Sequence, residues 1–357
     1  MQSHHTVEIE IPVSIDAPNA DDFIAATGVR NAVEAAAYGT DELGFAPAEL
    51  LPGWLDQDHT PMRMFTVRIE GAIVARATLE TTPDPADTTA WVSVDVLPSA
   101  RRRGVGTALL RRVEAEAAAS GATRLIAYVP SADAPGPRIP SPTGFGSVPA
   151  DNDEVRFLLA NGYGLEQVVR GSRLALPIAD DELASRLDEA DARSGADYRV
   201  HTWIDRTPPE WLDDVAVLLT RMSLDEPQGE LGEPEDIWTA ERLAGEEERQ
   251  AASPRTNLVA AVEHVPTATI VGYSDLGVPV ERTRPAGQRD TIVLPEHRGH
   301  RLGMLLKLAN IAHLQRERPG HPAITTFNAE ENRHMLSVNE AVGFAPIGYE
   351  GAWKKLL

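Results

Sequence analysis

Two short runs of this sequence have the residue types and spacing to hold an anion. The first is Val94-Asp-Val96-Leu97-Pro-Ser-Ala-Arg101-Arg102-Arg103-Gly104-Val105-Gly106-Thr107-Ala-Leu-Leu110. Its β-forming start, the proline, and the helical spacing of Val105, Leu109 and Val113 predict a strand that passes through a turn into an amphipathic helix. The first N–H groups of such a helix have no intrahelical partners and point outward with the positive end of the dipole. Glycines there let the backbone approach an oxygen closely, so the geometry suits a phosphate. The second run is Val293-Leu294-Pro295-Glu-His-Arg298-Gly299-His300-Arg301-Leu302-Gly303-Met304-Leu-Leu306. Val96, Leu97, Pro98, Arg101, Gly106 and Leu109 each recur at one constant offset (298 − 101 = 197), which marks an internal duplication.

Carboxylates are the other reactive groups in suggestive places. Asp225, Glu226 and Glu230 open an acidic region that continues to Glu248, and Asp290 stands just before the second turn. A negative field of that kind attracts an ammonium group, although most residues of such a run serve as a solvated face. His297 and His300 are three apart, but no third ligand accompanies them, so no metal is expected. The absence of cysteine excludes disulfides, thiolate metal sites and a cysteine acyl-enzyme.

The formal net charge of −21 disfavours nucleic acid and anionic membrane as partners and favours a small cationic or polar amine. No apolar run approaches the ~18 residues of a membrane span, and Met1 to His5 lack the features of a secretory leader. The expectation is a cytoplasmic protein, with homo-oligomerisation left open.

The elements that must position these groups follow from pattern. A chain of 357 residues suits about two domains. The expected division is a domain over 1–177, a helical linker over 178–197 and a second domain over 198–357. In the first domain, alternation predicts a strand over 6–15 and a hairpin over 64–80, with a loop at Pro83 and Pro85. Helical spacing predicts helices from Asp21 to Gly39 and over 40–51. Leu125 to Val129 reads as a strand parallel to the one before the turn, and the proline-rich stretch 130–149 as irregular loop. Asp151 with Glu154 reads as a capping box. The second domain repeats this order, with strands over 198–204, 258–263 and 267–276, a helix over 209–222, and Ala323 to Phe327 as the parallel partner.

The pattern V-x-P-x-x-R-x-x-G-x-G on a strand-turn-helix resembles the acyl-CoA pyrophosphate loop of the GNAT superfamily of N-acetyltransferases. In the second copy Arg301 replaces the first glycine. Asn328-Ala-Glu-Glu-Asn332, followed by Asn339 and Gly343-Phe344, is similar to the later helix and strand of that superfamily. The resemblance implies an α/β fold of two GNAT-like acyl-CoA N-acyltransferase units, each a mixed central sheet with flanking helices.

It further implies acetyl-CoA as co-substrate, held by Val96, Leu97 and the turn 101–107, by Val293, Leu294 and the turn 298–304, and by Asn328 and Asn332. Acetyl would pass directly to a primary amine recognised through Asp225, Glu226 and Glu230. The family often places a tyrosine acid where Asn339 stands here, with Leu158 as its counterpart in the first copy; neither residue can act as an acid. Asp151 is the expected counterpart of Asn332, and Asn328 with Glu331 the expected capping box of the second unit. Asp290 and the carboxylate of Leu357 are the candidate bases. The second unit is expected to be the catalytic one. The alternative is an acyl-CoA-binding or sensor protein with degenerate catalytic groups.

Overall fold

The computed structural model describes residues 4–84 and 87–357; Met1 to Ser3, read above as lacking a leader, and Pro85, read as loop, lie outside the described residues. Contacts divide the chain into two units. The first comprises residues 4–84, 87–169, 228–234 and 348–357, and the second 170–227 and 235–347.

In chain order, the first unit begins with β1 (Thr6–Glu8), α1 (Asp21–Tyr38), α2 (Pro47–Leu55), β2 (Met62–Ile69), β3 (Ala72–Thr81) and β4 (Thr89–Val96). It continues with α3 (Val105–Ala119), β5 (Arg124–Ser131), the small hairpin β6 (Arg138–Pro140) and β7 (Ser147–Pro149), α4 (Asp153–Ala160) and the first half of β8 (Gly164–Ala175), whose residues from Arg170 on belong to the second unit. The expected strand over 6–15 is thus short, and the proline-rich stretch contains one hairpin. Then come α5 (Asp180–Ser194), β9 (Tyr198–Ile204), α6 (Leu212–Asp225), α7 (Ala240–Gln250), β10 (Thr256–His264) and β11 (Thr269–Val278). The chain ends through β12 (Ala286–Val293), α8 (Leu302–Glu317), β13 (Ala323–Ala329), α9 (Arg333–Val342) and β14 (Ala345–Leu356).

The sheet of the first unit runs β1-β2-β3-β4-β5-β14. Its strands pair antiparallel except β4 and β5, which are parallel and pair only from Thr89↔Arg124 to Trp91↔Ile126 before they diverge. Leu109, Val113, Leu125 and Trp353 pack on one face of that sheet, and Phe23, Trp54 and Met64 under α1 and α2 on the other. The second unit repeats the plan as β13-β12-β11-β10-β9. Its β12 and β13 pair parallel, over Ala286↔Ile324 and Gly287↔Thr325, and then open as well. Leu305, Leu306, Val271 and Ile324 form its core under α8, while Val215, Leu218 and Ile270 form a second core under α6.

This spatial grouping departs from a cut at one linker. β14 pairs with β5 from Tyr349↔Ser131 to Leu356↔Arg124, which places the last ten residues in the first unit. Residues 228–234 join the same unit because Leu231 is fully buried with Ile126 and Ala352, and Glu233 accepts from Tyr128 Oη at 2.7 Å and Trp91 Nε1 at 3.3 Å. Among the described residues no helix is long and apolar enough to cross a membrane.

Candidate active site

The two Gly- and Arg-containing turns are built by the same hydrogen bonds. Leu97 N–H donates to Val74 O and Leu294 N–H to Val271 O, both at 3.0 Å. Arg101 Nε donates back to Val96 O at 3.2 Å, and Arg298 Nε to Val293 O at 3.1 Å. Each turn then needs two left-handed residues. The first unit supplies Arg102 (φ 61°) and Gly104 (φ 85°), and the second Gly299 (φ 90°) and Arg301 (φ 56°). Each turn therefore carries one strained arginine and one glycine, in opposite order, and Arg301 does not disturb the geometry. The helix starts left by both turns, α3 and α8, present first-turn N–H groups without helical partners.

The arginine that the two turns share is engaged within the protein in each. Arg101 lies 3.2 Å from Glu154, and Arg298 Nη2 donates to Asp225 Oδ2 at 2.6 Å. Asp225 thus helps to hold the second turn through this ion pair. Arg102 is solvent-exposed beside Asp153, while Val105 is buried in the core with Val96 packed against that core.

Beside the second turn the unit contains a cavity of about 830 Å³. Arg298, Gly299, Arg301, Leu302, Gly303 and Met304 form its wall at the turn, and Asp290 and Val293 line it along β12. Asn328, Asn332 and Ser337 close the opposite wall, and Asp225 and Glu226 reach its edge. Leu294 and His300 do not line it: Leu294 packs against the cores, and His300 makes a ring contact with Tyr198. A Cβ built on Gly303 would meet nothing within 4 Å, so the space over this turn is open.

The carboxylate in the cavity is aimed by an irregularity in the sheet. β11 and β12 lose register between Ser274 and Leu276, so Arg289 and Asp290 together face Asp275. A bulge of this kind re-aims a side chain beside a site. Asp275, itself buried, accepts from Asp290 N–H at 2.9 Å and from Arg289 Nε at 2.6 Å. Burial pushes the Asp290 carboxyl up to about 7, the charge of Asp275 adds to the rise, Arg289 opposes it, and Glu226 adds further. Burial and the neighbouring negative charges thus favour the protonated form of Asp290. In the first unit β3 and β4 pair without interruption, and the position three before Val96 is Ser93, bonded to Thr78.

The helices across the cavity correct three expectations. The capping residue of α9 is Asn332, whose side chain accepts from Met335 N–H at 3.2 Å, rather than Asn328 with Glu331. Asn328 accepts instead from Asn339 Nδ2 at 2.7 Å, so Asn339 is buried as the support of a cavity residue. The matching cap of α4 is Asn152, which accepts from Val155 N–H at 2.8 Å; the counterpart of Asn332 is therefore Asn152, not Asp151. Five residues after the caps stand Phe157 and Ser337. Phe157 lies 3.5 Å from where a Cβ on Gly106 would be, and so fills the room beside the first turn that Ser337 leaves open beside the second.

Residues 33–135 match the model of the acetyltransferase (GNAT) family. The match lies within the first unit. A search of curated proteins finds no match. Among solved structures, the chain is similar to a tandem GNAT protein from the clavulanic acid biosynthesis pathway, at 24% identity over 99% of this chain and 98% of that one, with a TM-score of 0.70. A GCN5-related N-acetyltransferase from Sphaerobacter thermophilus matches over 98% and 95% at 14% identity and a TM-score of 0.61. N-myristoyltransferase of Saccharomyces cerevisiae matches over 99% and 79% at 11% identity and a TM-score of 0.56. At such identities the likeness is one of fold, and it extends the GNAT architecture along the whole chain.

Two residues singled out in the sequence fall elsewhere in this GNAT fold. Leu357 N–H donates to Thr123 O in the first unit, because β14 runs antiparallel to β5 and ends where β5 begins; its carboxylate is not part of the cavity wall. Glu230 belongs to the first unit, where its carbonyl accepts from Lys354 Nζ. Three residues were missed. Asp275 and Arg289 look like ordinary strand residues until the bulge brings them together. Lys307, which lines the cavity with 2% of its surface exposed, was hidden inside the apolar run 302–309 that opens α8. Among the described residues no group of three or more His, Asp or Glu is arranged to hold a metal ion.

Proposed function

We propose that this chain is an acetyl-CoA-dependent N-acetyltransferase whose second unit carries out direct transfer to a primary amine of a small polar or cationic acceptor. The observation that supports this best is a cavity that joins the second Gly- and Arg-containing turn, the open edge of β12 and the carboxylate of Asp290. The turn N–H groups suit the pyrophosphate, and Gly303 leaves room for it. The opened pair β12 and β13 leaves strand edges for the pantetheine amides, so binding places the thioester rather than activating it covalently. Asp290 takes the amine proton, and Glu226, close enough to act on Asp290, supplies the field for an ammonium group.

Asn339 stands where a tyrosine acid was expected and is bonded to Asn328, which favours a second reading, a protein that binds acyl-CoA without turning it over. Thiol release from acetyl-CoA with a panel of small amines separates the two. Turnover supports the enzyme; calorimetric binding of acetyl-CoA without thiol release from any amine supports the sensor. Replacing Gly303 by valine crowds the turn and should lower acetyl-CoA affinity at least tenfold, whereas the same change at Gly106 should leave it unaltered. Loss at Gly106 alone would make the first unit the binding one.

A further inference from the structure

Lys307 has no counterpart in the first unit. At the same offset as the shared glycines stands Leu110, 3% exposed in the apolar core under α3. Lys307 is 2% exposed, and the residues around it on α8, Leu305, Leu306 and Leu308, are core residues. No ion pair or hydrogen bond of its ammonium group is found among the described residues; Nζ lies 5.7 Å from the centre of the Phe344 ring. An unpaired lysine in place of a core leucine costs folding energy, and that cost is unexplained by packing.

Its position supplies the explanation. Lys307 lies one turn along α8 from Gly303 and Met304, on the face of the helix that forms the cavity wall. The bulge lies within its electrostatic reach, since the Asp275 carboxylate acts on it. The cavity holds a carboxylate to receive a proton, but Asn339 offers none to give.

We propose that Lys307 is the general acid of the second unit, donating a proton from Nζ to the thiolate of the departing CoA. This rests on the acetyl transfer proposed above and names the group that completes it. The acceptor nitrogen forms the new bond to the acetyl carbon, and its proton passes to the Asp290 carboxylate. The carbon–sulfur bond breaks with its electron pair on sulfur, and sulfur takes the proton from the Lys307 ammonium. Solvent then carries the proton on Asp290 away and restores that on Lys307. Burial holds the lysine down to about 7, partly offset by Asp275, so proton loss to a thiolate is easy near neutrality. The Asp275 carboxylate on β11 acts on it, and Arg289 and Asp290 on β12, with Asp225 and Glu226 at the end of α6, line the same cavity. Arg298 and Arg301 at the turn and His334 on α9 complete the wall.

The test is the pH dependence of kcat and KM, with acetyl-CoA and a turned-over amine, for the wild type, Lys307→Met and Lys307→Arg. Lys307→Met is expected to lower kcat ~100-fold or more while the KM for acetyl-CoA stays within about threefold. The alkaline fall of kcat in the wild type should disappear in both variants, because neither side chain titrates there. A merely structural lysine would leave that limb in place. Unchanged kcat and an unchanged alkaline limb in Lys307→Met, while Asp290→Asn is inactive, overturns the lysine's role and leaves acetyl transfer standing. No thiol release by the wild type with any amine overturns both.

Discussion

Asp290 donates its backbone N–H to Asp275 Oδ1 at 2.9 Å, and its own carboxyl is raised by the charge it thereby sits beside. One residue both shapes the bulge and tunes the group that the bulge displays. Asp290→Asn should lower kcat ~100- to 10,000-fold with little change in acetyl-CoA affinity. Asp275→Asn removes a neighbouring negative charge, so the Asp290 carboxyl must titrate lower and the acid limb of kcat must move to lower pH. A pH–rate profile with that limb unmoved or shifted upward would show that Asp290 is not the base.

Phe157 and Ser337 occupy matching places five residues after Asn152 and Asn332, and they make the difference between a filled and an open turn. Ser337→Phe should block acetyl-CoA binding, seen by calorimetry as at least a tenfold loss, without altering the thermal midpoint, since Ser337 is exposed to the cavity. Phe157→Ser should leave the wild-type affinity of the second unit intact. If Ser337→Phe binds acetyl-CoA normally, the cavity beside α8 is not where it binds.

The turns were legible in the sequence because they repeat at one spacing and because proline, glycine and helical periodicity dictate their local conformation. The bulge was not, since the extra residue of β12 falls in the polar run 288–291, where no apolar alternation marks it, and there it turns Asp290 toward the cavity. The caps were misplaced for a related reason. Asp151 and Asn152 are adjacent and both can cap, and only the chain path decides that Asn152 does so. Nor could local pattern assign β14 to β5, because an alternating strand specifies a buried face and not a partner. Lys307 becomes informative only when the two copies are laid on each other and Leu110 is seen in its place.

The pairing of β14 with β5 makes the end of the chain a structural part of the first unit. Trp353, 1% exposed, sits in its main core with Leu125 and Tyr163. Trp353→Ala should destabilise that unit by about 3–5 kcal/mol. Hydrogen exchange should report lost protection in β4 and β5 before it does in β11 and β12. Equal loss in both sets of strands would mean that the two units unfold as one.

Lys307 makes a prediction about stability that does not depend on any substrate. Its amine is held from 10.5 down to about 7 by burial, so between those values the unfolded chain binds a proton that the folded chain does not. Stability therefore rises with pH through that window, and below it the folded state bears the full cost of a buried charge. Lys307→Leu, which restores the residue type of Leu110, should raise stability by up to about 4 kcal/mol at pH 6 to 7. The gain should shrink as pH rises and vanish above about pH 10.5, where lysine is neutral in both states. Urea denaturation of the two proteins across pH 6 to 10 measures the difference. A gain that stays constant with pH would show that leucine improves packing alone, and a loss of stability at pH 7 would show that the lysine is not held against its charge. A more stable variant that has also lost turnover would explain why lysine stands at a core position: it is retained for chemistry, against the preference of the fold.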